Sequence, residues 1–197
     1  MKTEATLPDW IGPGLNILSV GLNPSLNSLR AGFPFASPQN RFWKALNASG
    51  LIDEVLEPGV PALRRLFDHY RIGHTDVVKR ATPSAAQLRV ADFKTWAPQL
   101  TEKLLRFAPR IIWFHGKLGC RNFLRYGALD ETAIDNAGSA GNAGAVALEW
   151  GLQPQRIGVS QVYITPDPSS ANATYSLDAL ILCYRKLAEL NRSRQGG

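Results

Sequence analysis

Residues 16–44 read NILSVGLNPSLNSLRAGFPFASPQNRFWK, and this stretch decides the fold. Asn16 to Val20 has the apolar, β-branched character of a short buried strand, and Gly21 followed by Asn23-Pro24 ends it. Asn23 therefore falls in the loop beyond the strand's carboxyl end, where open α/β sheets bind ligands. Gly32-Phe33-Pro34-Phe35 next sets an aromatic on a loop stiffened by proline, and Asn40-Arg41-Phe42-Trp43-Lys44 opens an apolar-periodic helix that reaches Ser49. Turn residues, neutral amides and aromatics gathered directly after a strand form a place where a flat ligand can stack.

Outward from this segment the pattern repeats. A linker around Glu57 to Pro61 leads to a helix over Ala62 to Tyr70, with Leu63, Leu66 and Phe67 on one face. A second helix is predicted over Ala97 to Ala108, ended by Ala108-Pro109. Arg110 to Phe114 (RIIWF) is a compact apolar strand, broken by His115-Gly116 before a helix carrying Leu118, Phe123 and Leu124. Val159 to Thr165 alternates as a strand and stops at Pro166, and Leu177 to Leu190 is a final amphipathic helix. Strands separated by helices predict an α/β three-layer sandwich around a central, largely parallel sheet. The exception is Asp135 to Ala147 (DNAGSAGNAGAVA), which offers little to bury and reads as a flexible surface loop. No repeat or domain boundary interrupts the chain, so residues 1–197 are expected to form one domain, and a monomer.

The chain has 45% hydrophobic residues and a formal net charge of +6, with a pI near 9.6. That composition excludes disorder over most of the length and favours an anionic partner. Cys120 and Cys183 are far apart and match no zinc or iron–sulfur spacing; both are expected to be buried thiols, and neither metal nor cofactor is expected. No charged start leads into an apolar run and no stretch is long enough to span a bilayer. The expected setting is cytoplasmic, nucleoid-associated in a bacterium, without a membrane partner.

The segment Gly21 to Lys44 closely resembles the first motif of the mismatch-specific uracil/thymine-DNA glycosylases, Gly-(Ile/Leu)-Asn-Pro-Gly followed by Gly-Phe-Pro-Phe-Ala-x-Pro-x-Asn-Arg-Phe-Trp-Lys. The match is ungapped. The resemblance implies a uracil-DNA glycosylase-like fold and an enzyme that flips uracil, thymine or damaged pyrimidines out of double-stranded DNA, G·U mismatches above all, or out of single strands. It would hydrolyse the N-glycosidic bond and leave an abasic site. By the same resemblance Asn23 places the attacking water, Ser28 faces the pyrimidine's fifth carbon, and the Pro166 to Ala173 loop (PDPSSANA) enters the DNA. Here Asp167 stands where the family has asparagine, and small residues near Ala171 and Asn172 replace the usual wedge.

The residues support these roles on their own chemistry. An amide such as Asn23 is no strong base but orients water or reads a base edge; an Asx-turn asparagine before Pro24 is the plain alternative. Phe35 can stack on an extruded base. Gly21, Leu22, Ser25, Ser28 and Asn40 complete the expected base pocket, with backbone amides near Leu22 and Ser25 meeting the base's oxygens. Gly73 to Thr82 (GHTDVVKRAT) resembles the family's second active-site stretch, with Asp76 where asparagine or lysine is usual. A carboxylate can take a proton from water and stabilise an oxocarbenium-like sugar; alternatively Asp76 caps a turn or pairs with Lys79 or Arg80. His74 stands close by, but neighbouring residues of an extended segment point to opposite faces, so it is not expected to join Asp76. His69 and His115 are lone histidines without a site. Arg30, Arg41, Lys44, Lys79, Arg80 and Arg121 are candidate phosphate contacts, with Ser169, Ser170, Ala171 and Asn172 from the late loop. A lesion-binding protein that flips a base without turnover is the rival reading.

Overall fold

The computed structural model describes residues 6–129, 134–135 and 147–193. Along the chain run β1 (Ile17–Gly21), α1 (Leu26–Ala31), α2 (Phe42–Ala48), α3 (Val60–Asp68), β2 (Ile72–Asp76), α4 (Val90–Phe107), β3 (Ile111–His115), α5 (Lys117–Tyr126), β4 (Ile134–Asp135), β5 (Gly151–Ile157), β6 (Ser160–Thr165) and α6 (Leu177–Arg192). The sheet order is β2-β1-β3-β6-β5-β4. The first four of these strands are mutually parallel, and β5 and β4 extend the sheet antiparallel. This is the predicted three-layer α/β sandwich. Among the described residues no helix is long and apolar enough to cross a membrane. The predicted flexible loop, Asp135 to Ala147, lies outside the described residues apart from its two ends.

Strand alternation divides the core. Ile17, Ile72, Ile111, Trp113 and Tyr163 face one layer, packed against Phe42, Trp43 and Leu46 of α2, Leu63 and Leu66 of α3, and Leu180, Tyr184 and Leu187 of α6. Leu18, Val20, Ile112, Phe114, Val162 and Ile164 face the other, against Phe93, Ala97, Leu100 and Leu104 of α4 and Cys120 and Phe123 of α5. Central parallel strands are covered on both faces, which is why β1 and β3 read as continuous apolar runs.

Four elements depart from the expected ones. Helix α4 starts at Val90, not Ala97, because Asp92 accepts the Arg89 amide at 2.7 Å and caps the helix a full turn before Pro98. Pro98 gives up one backbone hydrogen bond without ending the helix. Helix α1 lies within the loop after β1, capped by the Ser25 hydroxyl at its start and by Gly32 in the left-handed conformation (φ 76°) at its end. The stretch containing His74 and Asp76 is a full strand, and β5 forms an unpredicted hairpin with β6. Cys120 is buried as expected, whereas Cys183 is half-buried.

A buried ion cluster corrects the expectation for Lys79. Asp9 accepts from Thr75 Oγ1 at 2.6 Å, Lys79 Nζ at 2.7 Å and Lys103 Nζ at 2.6 Å. Lys79 is 7% exposed, so its ammonium serves the fold and is not offered to a phosphate. Burial is the largest influence on the Asp9 carboxyl and opposes ionisation, but the Lys79 charge and the hydrogen bonds from Lys103, Lys79 and Thr75 together hold it at about 2. A depressed carboxyl stabilises the fold at pH values above its unfolded pKa and loses that contribution as pH falls through the folded one. Asp9 should therefore contribute about 2 kcal/mol that disappears between about pH 4 and pH 2. Chemical denaturation of Asp9→Asn should show lower stability at neutral pH and a flatter acid limb; an unchanged acid limb would refute the assignment.

Candidate active site

The carboxyl ends of β1, β2, β3 and β6 open into one cavity of about 180 Å³. Gly21, Leu22, Asn23, Ser25, Ser28, Phe35 and Asn40 from the first motif line it, joined by His74 and Asp76, His115, Thr82, and Asp167, Ser169 and Ser170. All eight expected catalytic and base-pocket residues are thus brought together, with Ser169 and Ser170 of the expected DNA-contacting set.

The loops after β1 and β2 are joined by backbone hydrogen bonds beyond the strands: Val77 N to Gly21 O, Val78 N to Leu22 O and Thr82 N to Pro24 O, at 2.9, 3.0 and 3.1 Å. Asn23 is fixed inside this seam. Its Nδ2 donates to Thr82 Oγ1 at 2.7 Å, Arg80 O at 3.0 Å and Pro24 O at 3.2 Å. With its donors used, the amide retains Oδ1 as the acceptor it can present to the cavity. This goes beyond an Asx turn, because two of the three acceptors lie more than fifty residues away in sequence.

Asp76 lies opposite Gly21 in the parallel register. A Cβ on Gly21 would stand 2.3 Å from Asp76 Oδ1, so the carboxylate occupies space that only glycine leaves open. Asp76 is 5% exposed. Neither Lys79 nor Arg80 pairs with it, since Arg80 Nε and Nη2 contact the Asp92 carboxylate at 2.7 and 2.6 Å. The nearest charge partner is His74, whose Nε2 is 3.8 Å from Asp76 Oδ2. This corrects the sequence expectation: positions 74 and 76 are two apart, so they share a face of the strand. His74 Nδ1 meets Ser19 Oγ at 3.2 Å, and Ser19 Oγ meets His115 Nε2 at 2.8 Å. Burial, with His74 as a secondary influence, pushes the His115 imidazole well below its usual pKa, so it is neutral.

Phe35 supplies the aromatic wall. One face stacks on Phe42, with centroids 4.1 Å apart and planes 18° from parallel, and the His74 and His115 rings meet it nearly edge-on at 5.2 and 5.0 Å. Phe35 is held at φ 58°, a region that costs a non-glycine residue about 1–3 kcal/mol. Ser25 and Ser28 are committed to each other and to the start of α1. Asn40 Oδ1 caps α2 through the Phe42 amide at 2.9 Å.

Arg41 has a different role from the expected phosphate contact. Its guanidinium donates to the carbonyls of Pro168, Ser169, Asn172 and Tyr175, and its own amide donates to Pro168 O at 3.0 Å. It fixes the late loop. Asp167 in that loop accepts the Ser169 amide at 2.8 Å. Its carboxyl is raised chiefly by burial, against the opposing Ser169 hydrogen bond and Arg41 charge. Asn172 is half-buried, donating to Asp167 O at 3.0 Å, while Ser170 and Ala171 are exposed. Of the other expected contacts, Arg30, Lys44 and Arg121 are exposed on the surface.

Sequence reasoning missed His74, Ser19, His115 and Arg41. Counting in twos along β1 and β2 would have set Ser19 with Gly21 and His74 with Asp76. The Arg41 clamp spans more than 120 residues and left no local signal.

The fold has counterparts among known proteins. The solution NMR structure of a protein from Methanosarcina acetivorans, provisionally assigned as a uracil DNA glycosylase, is similar in fold, with a TM-score of 0.54 and 21% identity. The match covers 93% of this chain and 98% of that one. The model of the Uracil DNA glycosylase superfamily matches residues 8–188, nearly the whole span that carries the sheet, the cavity and the late loop, and the chain belongs to that superfamily.

Proposed function

We propose that this protein is a monofunctional uracil-DNA glycosylase acting on DNA, with G·U mismatches as its preferred duplex substrate. The observation that carries the reading is one cavity lined by the fixed Asn23 amide, the buried Asp76 carboxylate and the aromatic ring of Phe35. A base turned out of the helix stacks on Phe35. Asn23 Oδ1 accepts from a water and aims its oxygen at C1′ of the sugar. As the bond from C1′ to the base nitrogen breaks, the base leaves with the electron pair, and Asp76 first offsets the charge building on the sugar and then takes the proton from the attacking water. No lysine is among the residues lining the cavity, which supports water rather than an amine as nucleophile and an abasic site as product.

The late loop sets substrate preference. Its exposed tip carries Ser170 and Ala171 and no bulky wedge, so it contributes little to the few kcal/mol needed to unstack a base. Bases already loosened in a mismatch or a single strand are favoured over uracil paired with adenine.

The test is single-turnover base release from matched oligonucleotides carrying U·G, U·A, T·G or single-stranded U. Native protein should release uracil fastest from U·G and single strands, and Asp76→Asn and Asn23→Ala should each slow release by ~10²-fold or more. Equal rates on U·G and U·A would overturn the loop argument. Mismatch binding with no release would replace the enzyme by a lesion-binding protein. Arg41→Ala should weaken duplex binding more than single-strand binding and lower stability by about 2 kcal/mol; unchanged duplex affinity would refute its role as the loop's clamp.

A further inference from the structure

The buried polar atoms behind the cavity form one chain. From β2 across β1 to β3 it runs Asp76 Oδ2, His74, Ser19 Oγ and His115, with separations of 3.8, 3.2 and 2.8 Å. Asp76, His74, Ser19 and His115 are each 5% exposed or less. Asp76 Oδ2, His74 Nε2 and His115 Nδ1 have no hydrogen-bond partner within the described protein. Such orphaned buried atoms are uncommon in folded proteins and call for a reason.

The chemistry of the chain fixes its polarity. With Asp76 ionised, the ring nitrogen facing it must carry a proton, because two acceptors at that separation would repel. His74 is then protonated at Nε2 and bare at Nδ1, so the Ser19 hydroxyl donates to His74 Nδ1 and accepts from His115 Nε2–H. The titratable groups around His74 are Asp76 on its own strand, His115 on β3 through Ser19, and Asp167 lining the same cavity from the loop after β6. The Phe35 ring packs against it, and the backbone of His74 is held by paired hydrogen bonds to Trp10 at 2.8 and 2.9 Å. The imidazole is therefore held from all sides with one N–H turned to Asp76.

We propose that His74 is the positioning residue of Asp76: Ser19 and His115 hold it in a single tautomer, and its Nε2–H draws Asp76 Oδ2 away from the cavity so that Oδ1, lodged over Gly21, is presented ionised to the sugar and its water. In this arrangement His74 acts through Asp76. The inference rests on the catalytic reading of Asp76 and deepens it.

Single-turnover uracil release from single-stranded DNA, with rate and substrate affinity read separately, tests it. His74→Leu fills a similar space without a donor, and His74→Gln restores an N–H. His74→Leu should slow release roughly tenfold with little change in substrate affinity, because an orienting group and not a binding contact is lost. His74→Gln should recover most of that rate. In the Asp76→Asn background His74→Leu should cause no further loss, since contacting residues that act together are not additive. Thermal melting establishes that each variant is folded. A folded His74→Leu at the native rate, a His74→Gln that recovers nothing, or a loss additive with Asp76→Asn overturns the proposal while leaving Asp76 in place. Asp76→Asn at the native rate overturns the catalytic reading and the proposal with it.

Discussion

The site depends on the pairing of Gly21 with Asp76 across two parallel strands. Parallel register fixes which residues leave adjacent strand ends side by side, and a slip of one residue would send each side chain to the other face of the sheet. Gly21 is needed here for the space it leaves and not for backbone freedom, since it is absent from the positive-φ glycines while a Cβ would stand 2.3 Å from Asp76 Oδ1. The register continues past the strands as the seam from Gly21 to Thr82, and that seam immobilises Asn23. One alignment of two strands therefore sets both the Asn23 amide and the Asp76 carboxylate, and places them on rigid backbone, as the proposed roles require.

Aromatic packing carries the same rigidity across the cavity. Phe35 adopts a left-handed backbone conformation that is unfavourable in isolation, and its stacking on Phe42, with Pro34 buried beside it, holds it there. Phe42 and Arg41 are consecutive, so the turn that supports the stacking platform also launches the guanidinium that ties down the late loop. Phe35 and the late loop are thus both tied to one helix start. A change at α2 is transmitted to both.

Much of this was legible in the sequence because the governing signals were local. The strand over Asn16 to Val20, the loop with Asn23 and Phe35, and a helix opening within Asn40 to Lys44 follow from apolar periodicity and turn chemistry within 29 residues, and the structure has them at Ile17–Gly21 and Phe42–Ala48. Helix α4 was truncated in the sequence reading because Pro98 mimics a helix boundary, while the true start depends on Asp92, which also binds Arg80 from the preceding loop. Lys79 looked like a phosphate contact because charge on a chain says nothing about burial, and Arg80, half-buried, is engaged by a carboxylate. Their acidic partners, Asp9 and Asp92, are 70 and 12 residues away. The histidine chain spans three strands and was invisible until their register was known.

Charge is divided between the inside and the outside of this site. The basic excess of the chain is met at the surface, where Arg30, Lys44 and Arg121 are exposed, and a long-range field of that sign draws a polyanion towards the protein. The cavity is lined by Asp76 and Asp167 and by no lysine or arginine. An acidic interior disfavours a bound phosphate but would stabilise a sugar that becomes cationic as its bond to the base lengthens. The same interior would oppose the departing base's negative charge. Any compensation from within would therefore come from dipoles rather than cations, and both the backbone amides of the Leu22 to Ser25 turn and the neutral hydroxyl and amide side chains lining the cavity could supply them.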